Sequence, residues 1–203
     1  MTKFIFFISL SFAVVDVSGQ SQFNKPLSVL LDTVYKEDQT DRLKIASLEK
    51  QYGWQSGQMQ SLLNKINTQD SINLSKVKKI IDTYGWPGPD EVGKQGAQTI
   101  FLVIQHADSL TQATYLPVMR EAVKKGKAQP EALALLEDRV LINQGKEQIY
   151  GSQTKANETG RYEFYPIKDE TNVNTRRASV GLEPLEEYAK RFDINHVLPK
   201  LKK

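Results

Sequence analysis

Cysteine is absent from all 203 residues. That omission removes thiol nucleophiles, thiolate metal sites, redox centres and disulfides from consideration. Histidine is nearly as scarce: His106 and His196 stand far apart, and neither belongs to an H-E-x-x-H pair. No G-x-S-x-G nucleophile elbow occurs. The longest apolar run, "FIFFISLSFAVV" near the start, falls short of the roughly 20 residues needed to span a bilayer. The net charge is +3, and the basic residues are not gathered in one run, which argues against a nucleic-acid partner.

What the N-terminus does contain is Lys3, that apolar segment and then "DVSGQ". A positive start, an apolar stretch and small residues near a cut site read as a secretory signal peptide over residues 1–19. Cleavage after Gly19 puts Val17 and Gly19 at the small-residue positions. Lys3 and Asp16 cancel, so the charge of the remaining chain is unchanged. The expectation is an exported chain, periplasmic or extracellular, whose residues 20–203 form one domain without disulfides or a membrane span.

That remainder reads as mainly helical. Pro26 opens a helix over 26–51, with Leu27, Leu31, Val34 and Ile45 at helical spacing. A second runs over 58–84 and is stopped by "YGWPGPD". Tyr-Gly-Trp also occurs at 52–54, which reads as similar stop chemistry rather than a repeat. Residues 91–107 are apolar around the whole circumference from Ile100 to Ile104, the pattern of a central helix. Helices over 112–125 and from Pro130 to before Gly145 follow. "EQIYGSQ" and "RYEFYPI" read as strands joined into a hairpin by "TKANETG". Short helices near 171–180 and 184–192 complete a mainly α domain with a small C-terminal β-hairpin, and the tail "KLKK" reads as loose.

Two apolar stripes are interrupted. In the first helix Leu31 and Val34 lead to Asp38 and Arg42 before Ile45 restores the pattern. In the second, Ile66 leads to Asp70 and Asn73 before Val77. Residues three and four apart share a helix face, so these polar groups point inward. Unpaired, each buried charge costs several kcal/mol, so they are expected to meet one another. Gln105, His106 and Asp108 at the end of the central helix, and Asp138 and Arg139 in "LLEDRVLI", are expected to join them. An imidazole beside a carboxylate suits general acid–base chemistry. The interior cluster is open to two readings, structural scaffolding or a functional pocket.

Other motifs fare worse. Gly88, Gly93 and Lys94 match the phosphate-loop spacing, but Gln95 stands where Ser or Thr should hold magnesium, and a helix rather than a strand precedes them. A carboxylate site for a hard cation from Asp38, Asp41 or Asp70 is a lesser reading. The expectation is no metal and no cofactor. "TRRAS" offers Arg176 and Arg177 either to an anionic ligand or to surface acids.

"DQTDR", "YGWPG", "QHAD", "EDRV", "QIYGSQ" and "RRASVGLEPLEEY" occur in that order. Together they resemble a bacterial family known as domain of unknown function 6624, over nearly the whole chain after the leader. The family pattern tends to show Thr where this chain has Ser152; the exchange keeps a hydroxyl. The resemblance brings no activity with it, but it implies that the motifs belong to one domain. Carried over by position, it points to Asp38, Gln39, Arg42, Gln105, His106, Asp138, Arg139, Tyr150, Gln153 and Arg176. The resulting expectation is a hydrolase or transferase. His106 would act as general acid/base, oriented by Asp138 or Asp38, and Arg42, Arg139 or Arg176 would hold a small polar or anionic ligand with help from Gln39, Gln105, Tyr150 and Gln153. The alternative is a non-catalytic extracytoplasmic binding or interaction domain whose polar network is structural, with its working surface on the 147–167 hairpin.

Overall fold

The computed structural model describes residues 22–158 and 160–199. The expected leader over 1–19 and the tail at 200–203 lie outside them. The first helix, α1 (Lys25–Arg42), is capped by the Asn24 side chain, which accepts from the Leu27 N–H. A short α2 (Ile45–Tyr52) and a long α3 (Gly57–Tyr84) follow. Thus the single helix expected over 26–51 is two helices parted at Leu43 and Lys44. α4 (Pro89–His106), α5 (Ser109–Lys124) and α6 (Pro130–Asn143) complete the bundle.

The core explains the stripes. Leu31 and Val34 of α1, Val77 and Ile81 of α3, Ile100 and Ile104 of α4, and Met119 of α5 pack into one cluster with Leu136 of α6. Gly96 lets α1 and α4 approach closely, because a Cβ there would sit 3.1 Å from Val92 and 3.4 Å from Leu31. The two Tyr-Gly-Trp sequences share only their stop: Gly53 and Gly85 follow α2 and α3 with φ of 81° and 70°. Trp86 is buried, whereas Trp54 is exposed. The expected central helix carries a break at Gly93, where φ is 78°. The phosphate-loop spacing therefore falls on a helix–turn–helix passage with no strand before it.

The C-terminal third departs most from expectation. The antiparallel hairpin is present, but β1 is Thr154–Ala156 and β2 is Tyr162–Phe164, with Thr154 opposite Phe164. The first strand therefore lies in the polar stretch taken for the linker. "EQIYGSQ" is not a strand; only Gln148 pairs, as a lone bridge to Ile167. α7 (Val173–Ser179) and α8 (Leu185–Ala189) are flanked by single 3-10 turns.

Candidate functional site

α1 and α4 place the first predicted pair in contact. Asp38 lies one turn beyond Val34 on the buried face of α1, and His106 is the last residue of α4. The His106 Nδ1 is 3.0 Å from Asp38 Oδ1. Gln39 donates to the other Asp38 oxygen at 2.6 Å. Burial opposes ionisation of Asp38 and is the largest single influence. The hydrogen bond and charge of His106, the charge of Arg42 and the Gln39 hydrogen bond outweigh it and hold the carboxyl below its ordinary 3.8. An ionised carboxylate only accepts, so Nδ1 carries the proton and donates it. The Nε2 then faces away with no protein partner among the described residues, on a side chain that is 22% exposed.

Arg42 closes the cluster from the other side. Its Nη1 and Nη2 donate to the two oxygens of Asp70 at 2.9 and 2.7 Å, and Nη1 also donates to the Asp38 main-chain oxygen. Such a forked pair fixes the α1–α3 register. A second polar layer lies beside it, where Gln69 donates to Glu37 and to the fully buried Asn73, and Glu37 pairs with Lys76. The interruptions in the two stripes thus face each other, as their spacing requires.

Asp38, Asp70 and His106 each offer a ligand atom within 4.8 Å of the others, which is the one grouping among the described residues able to hold a metal ion. Arg42 already engages Asp70 and lies 3.7 Å from Asp38, so an ion would compete with a guanidinium for both carboxylates. Asp41 is elsewhere, paired with Lys44 and Lys65.

The linkage of Asp38 has a definite sign. With its folded pKa depressed, its contribution to stability is present above 3.8 and is lost as pH falls through the depressed value. Asp38→Asn is therefore expected to flatten the fall of unfolding free energy with pH below about pH 4, as read by urea titrations at several pH values. An unchanged slope contradicts the coupling described.

Asp138 does not orient His106, and that expectation is corrected. It is fully buried in α6, and its Oδ1 accepts from Ile149 N at 2.6 Å and Tyr150 N at 3.0 Å. Its Oδ2 accepts from Ser152 N at 2.9 Å. Burial pushes this carboxyl up, and the backbone donors offset part of that. The Gln148 side chain bridges the same loop internally, donating to Gln153 O and accepting from Gln153 N. Gly151 turns there with φ of 67°, and a Cβ on it would lie 2.9 Å from both Ile167 and Leu185.

Arg176 is likewise reassigned, since it donates to the main-chain oxygens of Ile149, Lys168 and Asp169. Arg177, which unlike Arg176 is fully buried, donates to those of Tyr150 and Glu183 and stacks on Tyr188 at 4.9 Å. Tyr150 has its hydroxyl against Glu137, and burial raises its pKa. "EDRV", "QIYGSQ" and "RRASVGLEPLEEY" are therefore one structural knot that ties the C-terminal segment to α6. Asp108 is also outside the cluster: it caps α5, accepting from the Thr111 N–H.

Arg139 and Gln153 line a separate cavity of about 430 Å³ with Ala107, Asn143 and Tyr165, and Gln105 meets Arg139 beside it. Gln105 turns its amide oxygen to Arg139, 2.9 Å from Nε, an orientation assigned from the donors around it. Sequence reasoning missed Gln112, Asn143, Thr154 and Tyr165 on these walls. Only Tyr165 carried a signal, as an aromatic in a strand-like run. It left Asp70 as an interior group, although Asp70 is the partner of Arg42.

No curated protein and no solved structure matches the chain. A family model does, over residues 27–199. All six motifs lie within that span, and the structure joins them into the dyad, the knot and the α3–α4 stop. The chain belongs to the family of unknown function DUF6624.

Proposed function

We propose that the chain is a hydrolase or transferase that uses His106 as general acid/base, oriented by Asp38. The observation that carries this reading is the 3.0 Å contact from Nδ1 to a buried, ionised Asp38, with Nε2 left unpartnered on a partly exposed ring. A fixed ring with one nitrogen held and the other open is the arrangement that accepts a proton from a hydroxyl or water and returns it to a leaving group. Gln39 and Arg42 act through Asp38, as positioning residues. Asp138, Tyr150 and Arg176 are not part of this machinery. The N-terminal residues support an extracytoplasmic location, periplasmic or extracellular.

Chromogenic esters, phosphate esters, glycosides and anilides form the panel that tests the reaction class, with His106→Gln as the paired control. Turnover in the wild type that the variant loses supports the reading. Turnover retained by the variant overturns it.

A second reading, a non-catalytic extracytoplasmic binding or interaction domain, is favoured by the way Arg42 and Asp138 are satisfied. Arg42 is matched to Asp70, and Asp138 to backbone N–H groups, as in a satisfied scaffold.

A further inference from the structure

We propose that the cavity beside the C-terminal end of α4 binds a carboxylate group of the substrate on Arg139. This deepens the reading of His106 as acid/base and rests on it for the catalytic meaning of the site; the anion site stands on its own observations.

The first of these is charge. Arg139 is the only charged side chain on the cavity walls, whose other polar members are amides and hydroxyls. No carboxylate lies within ion-pair distance of its guanidinium among the described residues. The other interior arginines are engaged: Arg42 by Asp70, and Arg176 and Arg177 by main-chain oxygens. Arg139 donates from Nε and Nη2 to Gln105 alone, which leaves Nη1 without a protein partner among the described residues. Burial bears on the group, lowering its pKa, with only the tyrosines Tyr188 and Tyr165 acting against that. A half-buried cation without a counter-charge is costly. A ligand anion would remove that cost.

The second observation is the donor set. The hydroxyls of Ser109, Thr154 and Tyr165 share the walls with Arg139 and have no acceptor on another residue among the described hydrogen bonds. One positive charge with neutral donors matches a singly charged carboxylate, which a guanidinium receives through two parallel N–H groups. A phosphate dianion would leave the cavity with uncompensated negative charge.

The third is position. Gln105, which holds Arg139, and Ala107, which lines the cavity, are the two chain neighbours of His106. The cavity therefore borders the backbone at His106, while the ring itself turns to Asp38 of α1 and is not on the walls. The substrate class is a small polar molecule bearing a carboxylate.

The test uses acetate as probe, with inorganic phosphate as the second arm at matched ionic strength. The Arg139 Nε–H resonance is followed by heteronuclear NMR. Acetate is expected to shift it saturably and more tightly than phosphate. Ser109→Asp introduces an acid on the cavity wall at the first turn of α5, where an acid favours the helix. It is expected to fold normally and to weaken acetate binding about tenfold or more. Tighter binding of phosphate overturns the carboxylate assignment. No saturable shift with either anion, or acetate binding unaltered by Ser109→Asp, overturns the site. Acetate binding in a protein that shows no turnover removes the acid–base reading only; turnover that needs His106 without acetate binding removes this inference only.

Discussion

Asp138→Ala is expected to lower the unfolding free energy by about 3–5 kcal/mol. The reason is the number of donors that one carboxylate serves. Ile149, Tyr150 and Ser152 all turn their main-chain N–H groups to it. Each buried donor left without an acceptor costs about 1–3 kcal/mol, and relief of the buried charge returns part of the sum. The effect should also be local in origin. Amide hydrogens of Gln148, Tyr150 and Ser152 should exchange faster than those of the α1–α4 core, because the loop over 148–153 loses its anchor to α6. Urea unfolding gives the total and hydrogen exchange gives the place. A loss below about 1 kcal/mol would mean that these donors find other acceptors.

His106→Gln is expected to reduce turnover by roughly 10²–10⁴-fold while barely changing the melting temperature. The two outcomes have different causes. Proton transfer needs a group that takes and returns a proton at the reacting atom, and an amide cannot do so. Stability is held because the glutamine amide can donate to the buried Asp38 carboxylate in place of Nδ1, and the ring itself is partly exposed. Asp38→Asn should lower turnover through the orientation of the ring and should also cost stability, since Arg42 then loses a nearby counter-charge. A kinetic loss without a stability loss at His106, and both together at Asp38, is the signature of a positioned base. Equal stability losses at the two residues, with no kinetic change, would favour the scaffold reading.

The part of the site built on helix faces was legible in the sequence, because a 3.6-residue period fixes which way a side chain points. Asp38 interrupts the stripe of Leu31 and Val34, and Asp70 follows Ile66 in the same way; Asp38 meets His106 of α4, and Asp70 meets Arg42 of α1. The same rule misplaced Asp138. It sits in an apolar stripe and points inward, but its partners are main-chain N–H groups of a loop, and periodicity carries no record of where a loop turns its amides. Gly151 and its positive φ make that loop, so "QIYGSQ" reads as a strand and is not one. The break between α1 and α2 also left no mark. Leu43 and Lys44 are ordinary helix residues, and both stay in the right-handed region with ψ near −17° and −16°. The start of α5 was readable in hindsight, since Asp108 followed by Thr111 is a capping pair.

The central claim is that Asp38 fixes the tautomer of His106 and leaves Nε2 as the open base. Long-range proton–nitrogen NMR of the imidazoles at neutral pH tests it most directly, with His106→Gln to assign the signals. The account predicts that His106 in its neutral form carries its proton on Nδ1 and that Asp38→Asn reduces this preference. A neutral ring protonated on Nε2, or a tautomer unaffected by the substitution, would contradict it.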